Sequence, residues 1–190
     1  GPAGPNDKHN DVSLPAIKRL YRFLANKGTV GLHPSFASAE QPELLAVEKT
    51  RLEQIIGQEV TQCRQHYLRI QLPETYRNLV NAGFTDDYSM AYPEAPGYRT
   101  GMSKPYTWFD CFQNKELPIQ VHPFAIMEHT FERYKPMTLE ASLRVVDDIT
   151  KHTQKVGGRL TIDFHNHKLA RGEQARKLFE EIIKAWKYEG

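Results

Sequence analysis

Leu160-Thr161-Ile162-Asp163-Phe164-His165-Asn166-His167 alternates apolar and polar side chains for five residues and then reaches a histidine. A period of two marks a β-strand with one face on a core, which puts His165 where the strand runs out. The same arrangement recurs upstream. Thr29-Val30-Gly31-Leu32 runs into His33, Pro118-Ile119-Gln120-Val121 runs into His122, and His66 lies just beyond Val60-Thr61-Gln62-Cys63-Arg64. In folds built on parallel strands the carboxyl ends of the strands form one rim, and active sites gather there. Imidazoles in equivalent places on four strands predict catalytic chemistry at such a rim.

Between these strands the apolar spacing predicts helices over residues 14–25, 41–56, 73–82, 139–155 and 172–187. Ser13 is a candidate cap for the first, with Pro15 in its first turn. Ser38 and Gln41 stand in capping-box spacing before the second, and Thr138 precedes the fourth. Alternating strands and helices predict an α/β fold with a parallel sheet or barrel. The 190 residues fall short of the roughly 250 of a complete eightfold barrel, so an irregular or incomplete (β/α) barrel with parallel strands is expected. Residues 84–112 combine many aromatics with Pro93, Pro96, Gly97, Gly101 and Pro105, which break long elements. Short strands are expected there near 87–91 and 98–100. Residues 1–10 read as an N-terminal loop or tag remnant, and 11–190 as a single α/β domain.

Composition narrows the function. Net charge is +2 with 39% hydrophobic residues and a mean hydropathy of −0.60, which fits a globular chain rather than a disordered one. No long basic run supports nucleic-acid binding, and no apolar stretch reaches the roughly 18–20 residues of a membrane span. Cys63 and Cys111 do not make a disulfide framework, so a cytoplasmic setting is expected.

The residues able to do chemistry cluster at the strand ends. His33 and His122 each precede a proline, which holds them extended. His165 and His167, two apart, would share a face of an extended segment and could bind a metal or divide acid and clamp roles. Arg64-Gln65-His66-Tyr67 joins a permanent cation, an imidazole and an aromatic ring, and arginine can orient a carboxylate or anchor an anion. Arg99 is flanked by Gly97 and Gly101, which permit close backbone approach. The aromatics Tyr88, Tyr92, Tyr98, Tyr106, Trp108 and Phe109 suit either a sugar ring or a small satellite core. Asp86-Asp87 could reach the rim, whereas Asp147-Asp148 reads as solvated. His9, His129 and His152 read as ordinary solvated or helical residues. No Gly-x-Ser-x-Gly elbow and no glycine-rich phosphate loop is present.

The ordered set Gly31-Leu32-His33-Pro34-Ser35-Phe36-Ala37-Ser38, Arg64-Gln65-His66-Tyr67, Asp87-Tyr88-Ser89-Met90 with Gly97-Tyr98-Arg99, His122-Pro123-Phe124 and Phe164-His165-Asn166 resembles the NodB-like polysaccharide deacetylase superfamily, in particular an uncharacterised bacterial branch. The resemblance implies an irregular (β/α) barrel in which a divalent metal, zinc by expectation, activates water against an N- or O-acetyl group of a glycan. It implies His33 as a metal ligand, with Ala37 where a second ligand histidine would fall. It implies His165 as the acid, Arg64 and His66 in catalysis, and Tyr67, Arg99, His122 and Asn166 as substrate contacts. The Thr-Phe-Asp-Asp segment of the family is absent upstream of His33, which implies the C-terminal part of such a domain lacking its first strand, with an exposed sheet edge open to self-association. The activity implied is a hydrolase of amide or ester bonds in carbohydrates. The alternatives are a non-catalytic carbohydrate-binding module descended from a deacetylase, and a metal-free hydrolase using histidine and arginine.

Overall fold

The computed structural model describes residues 5–7 and 11–186. Its elements in chain order are α1 (Pro15–Ala25), a 3-10 turn (Phe36–Ala39), α2 (Glu43–Ile56), β1 (Gln62–Cys63), a 3-10 turn (His66–Leu68), α3 (Glu74–Asn81), β2 (Asp86–Asp87), β3 (Tyr106–Asp110) and β4 (Lys115–Val121). β5 (Ile126–Met127), a π-helical turn (Thr130–Tyr134), α4 (Leu139–Lys155), β6 (Ile162–Asp163), α5 (Asn166–Arg171) and α6 (Glu173–Ala185) follow. These elements form two compact units. The first holds the described residues up to Ser89 together with Tyr106–Val121, and the second holds Met90–Pro105 with the described residues from His122 onward.

In the first unit a four-stranded sheet runs in the order β1-β2-β4-β3. β1, β2 and β4 are mutually parallel, with Gln62 opposite Asp86 and Asp87 opposite Val121. The expected α/β class with parallel strands is therefore present, but among the described residues the sheet is open and no closed barrel is formed. β3 departs from the expectation of strands near 87–91 and 98–100. It pairs antiparallel with β4 through a bulge between Thr107 and Phe109. The hairpin between them is pinned by Asp110, whose carboxylate accepts bonds from the Arg77 guanidinium at 2.7 and 3.1 Å and from the backbone N–H groups of Phe112 and Gln113. The run from Thr29 contributes a single parallel bridge, Leu32 to Cys63. Gly31 suits this close approach, because a Cβ at that position would stand only 3.0 Å from the Gln62 carbonyl oxygen and push the two apart by a few tenths of an ångström.

Helix entry follows proline rather than serine. Leu14 and Pro42 are the N-caps of α1 and α2, and neither makes a side-chain cap bond. The Ser38 hydroxyl instead donates to the Ser35 carbonyl, so the expected Ser13 and Ser38 caps do not form. In α2 the buried positions are Leu45, Glu48, Ile55 and Ile56. Glu48 displaces the expected apolar face because its carboxylate accepts the Ser35 N–H at 2.8 Å and the Ser35 hydroxyl at 2.6 Å. Burial pushes its carboxyl up, yet those bonds hold it below its usual value.

The second unit packs α4 and α6 around Ala125, Ile126, Phe131, Val146, Leu178 and Ile182. α4 has the bounds its spacing predicts, and the Thr138 side chain accepts the Ala141 N–H. β5 and β6 pair in parallel, with Ile126 opposite Ile162 and Met127 opposite Asp163. The segment before β3 is tied into this core. The Gly97 N–H donates to the Ala125 carbonyl at 2.7 Å, and the Tyr98 hydroxyl donates to the Arg159 carbonyl at 3.0 Å. No helix among the described residues is long and apolar enough to cross a membrane. Of the ten N-terminal residues only Pro5, Asn6 and Asp7 are described; His9, and the end of the last predicted helix at Lys187, lie outside the described residues.

Candidate functional site

Each of the four flagged histidines follows a strand or bridge end, two in each unit. In the first unit, His33 follows the bridging Leu32 and turns its Nδ1 onto the Arg64 carbonyl at 2.7 Å. A carbonyl only accepts, so Nδ1 carries a proton and donates it. The His33 ring meets the His66 ring edge-on at 4.7 Å between centroids. His66 Nδ1 lies 3.0 Å from the Asp7 carboxylate, which also accepts the Phe36 N–H at 2.9 Å. Nothing in the sequence marked Asp7, which sits in the segment read as a loop or remnant. Tyr67 and Leu68 both adopt left-handed backbone, φ 56° and 52°, at a cost on the order of 1–3 kcal/mol each. That backbone sets the Tyr67 ring against Phe36 and His66, with centroids at 5.6 and 4.8 Å, while the residue stays half exposed.

Asp87 lies at the end of β2 and is fully buried. Its carboxylate accepts bonds from the Ser89 hydroxyl, the Ser89 N–H and the Tyr76 hydroxyl. Burial raises its pKa from an ordinary 3.8 to about 6, against the opposing pull of those bonds and of the Arg64 cation. The Arg64 guanidinium also donates to the Tyr88 carbonyl at 3.1 Å.

In the second unit the β5–β6 register builds a tighter cluster. Because Met127 stands opposite Asp163, the residues just past both strands become neighbours. Glu128 is fully buried. Its Oε1 lies 2.6 Å from His165 Nδ1 and 3.1 Å from His129 Nδ1, and it accepts the His165 N–H at 3.1 Å. The two imidazole Nδ1 atoms are 3.3 Å apart. Burial pushes the Glu128 carboxyl up, but the His165 bond and charge bring it below its usual value. Its Oε2 is buried with no hydrogen-bond partner. His129, read from sequence as ordinary, is thus brought beside His165, and Glu128 was not singled out at all. The signal was there: Phe124-Ala125-Ile126-Met127 is a further apolar run ending at Glu128-His129.

Other expected residues are placed as follows. His122 directly follows β4 and is buried. Asn166 opens α5, so His165-Asn166-His167 is a helix entry rather than an extended pair. The His167 ring still lies 5.6 Å from that of His165. Arg99 lies over the Tyr92 ring at 5.8 Å. Among the described residues, the group of three histidine, cysteine or carboxylate donors that converge closely enough for one metal ion is Glu128, His129 and His165. His33 belongs to no such group there, and Ala37 beside it offers no ligand atom.

No protein-family model matches the chain, and no curated protein matches it. In structure it is similar to the crystal structure of a probable polysaccharide deacetylase from Pseudomonas aeruginosa PAO1, with a TM-score of 0.66 at 16% sequence identity. The likeness covers 88% of this chain and 56% of that one, so the chain spans little more than half of that protein's length. At this identity the likeness is one of fold.

Proposed function

We propose that this chain carries a carbohydrate deacetylase-like hydrolase function, cleaving an N- or O-acetyl group from a glycan. The observation that carries the reading is the buried Glu128 carboxylate set 2.6 Å from His165 Nδ1, on a fold similar to that of a polysaccharide deacetylase. The carboxylate accepts the Nδ1 proton in a hydrogen bond, which makes Nε2 the basic nitrogen of His165. That nitrogen takes a proton from the attacking water and, once charged, delivers it to the departing amine or alcohol. The Glu128 carboxylate stabilises the imidazolium in between. A divalent metal would add polarisation of the acyl oxygen and a more acidic water; no step here is routed through His33.

In the first unit Arg64 and His66, which face Asp87 and Asp7, are proposed as proton-handling and orienting groups, and Tyr67 as a face for a sugar ring. In the second unit Arg99, His122 and Asn166 are proposed substrate contacts. A second reading, a carbohydrate-binding module without turnover, is favoured by Ala37 at the expected ligand position.

Acetate release from N- and O-acetylated oligosaccharides decides between them. His165→Gln is expected to lower turnover by about 10²–10⁴-fold, the range of general acid–base catalysis, with circular dichroism unchanged. Equal turnover in the variant removes His165 from the chemistry. Glycan binding with no acetate released by the parent chain favours the binding module.

A further inference from the structure

We propose that Glu128, His129 and His165 form a binding site for a transition-metal dication of the zinc class, distinct from the His33 position that the family resemblance implies. This rests on the reading of that cluster as functional, and with the ion bound His165 serves as a ligand through Nδ1 in place of its acid–base role.

The geometry carries the argument. His129 Nδ1 and His165 Nδ1 face each other across 3.3 Å, and both address one carboxylate oxygen, at 3.1 and 2.6 Å. Two N–H groups directed at one oxygen from such close range set like-polarised hydrogens side by side. If one nitrogen instead gives up its proton, its lone pair faces the carboxylate. A cation at the convergence point relieves both conflicts, because every inward atom is then a ligand. Zinc bonds to nitrogen and carboxylate oxygen are about 2.0–2.2 Å, so neighbouring ligand atoms in a tetrahedral shell stand roughly 3.3–3.5 Å apart. The two longer separations approach that edge. The third needs only a small outward turn of the carboxylate.

A second, independent observation points the same way. Glu128 Oε2 is buried and without a hydrogen-bond partner, which is costly for a carboxylate oxygen unless something else satisfies it. A cation held through either oxygen of that carboxylate would do so. Two imidazoles and one carboxylate suit zinc, cobalt or nickel rather than magnesium or calcium. The histidine side chains remain 22% and 37% exposed, which gives the ion a route in. Three protein ligands with a solvent-facing position are the arrangement of a reactive zinc site rather than of a closed structural one.

The test is a calorimetric titration of the chelator-stripped protein with zinc, together with the visible spectrum of its cobalt form. One zinc per chain is expected, with the intense d–d bands of four- or five-coordinate cobalt. His129→Gln and Glu128→Gln are expected to weaken zinc by about 100-fold or more, beyond the upper range seen when only outer-shell partners are lost; His33→Ala leaves affinity unchanged. The cobalt spectrum of the parent chain keeps the test decisive should a variant fail to fold. Absence of zinc binding and of cobalt bands overturns the proposal, as does binding lost in His33→Ala but kept in His129→Gln. Acetate release that survives chelation, with no zinc bound, overturns the metal site and leaves the hydrolase reading standing. Zinc binding with no acetate released by either the stripped or the loaded protein supports the site and removes the hydrolase reading.

Discussion

Between pH 4 and pH 7 the stability of Asp87→Asn relative to the parent chain is expected to rise by about 2 kcal/mol. The parent carboxyl is buried and titrates at about 6 rather than at its ordinary 3.8, and each unit of such a shift corresponds to roughly 1.4 kcal/mol. A raised carboxyl pKa means that the folded state holds the proton more tightly than the unfolded one. The stabilisation is complete below about pH 4 and is lost as pH rises through 6, where the chain must bury a charge opposed only by Arg64 and by the Ser89 and Tyr76 bonds. Cys63 and Tyr106 sense that charge, since it helps push both their pKa values up. Asn cannot ionise, so the difference between the two proteins isolates this group from the other carboxylates. Urea denaturation at several pH values measures it. A difference that stays flat from pH 4 to pH 7 would show that Asp87 is not the titrating group.

Phe131→Ala is expected to cost about 3–5 kcal/mol, the range for deleting a buried aromatic ring. A domain has only about 5–15 kcal/mol in total, so the second unit would be left marginal. Phe131 is 1% exposed and packs with Ile126, Val146, Leu178 and Ile182. It sits in the π-helical turn directly after His129, where the Lys135 N–H reaches back to the Thr130 carbonyl. Such widened turns are frequent at functional sites. Here the ring anchors the turn that presents Glu128 and His129. Phe131→Leu, which keeps most of the volume, is expected to cost less than half as much. Denaturation midpoints for the three proteins give the comparison, and a loss below about 1 kcal/mol for the alanine variant would mean that the cavity collapses.

Much of the frame was legible because helices advertise themselves over many residues. α4 was readable from Thr138 and its apolar seam, and its bounds match. The strands were legible mainly by where they end: His33, His66, His122 and His165 each follow a pairing residue, although β1, β2, β5 and β6 hold only two residues each. β3 was missed because Pro105 and the neighbouring glycines broke the pattern. Its antiparallel pairing depends on a turn at Asp110–Asn114 that owes its shape to Arg77, a residue distant in sequence. His129 was missed because the two-residue β5 is too short to show a strand period of its own. The exposed apolar face of α1, with Leu20 and Leu24 each 46% exposed, shows that helical spacing reports amphipathicity and not what covers it.

The chain visits the two units in alternation: it leaves the first after Ser89, contributes Met90–Pro105 to the second, returns for Tyr106–Val121, and leaves again at His122. A ribosome therefore delivers the opening piece of the second unit before the first has its central strand, β4. No single cut separates the two cleanly: a chain ending at Val121 holds both segments of the first unit but also the 90–105 piece of the second. A polypeptide ending at Val121 carries residues 90–105 as an orphan, with the Gly97 amide lacking its Ala125 acceptor. On the ribosome the first unit can therefore close while residues 90–105 still wait for the chain from His122 onward, and a nick in 90–105 falls on the second unit.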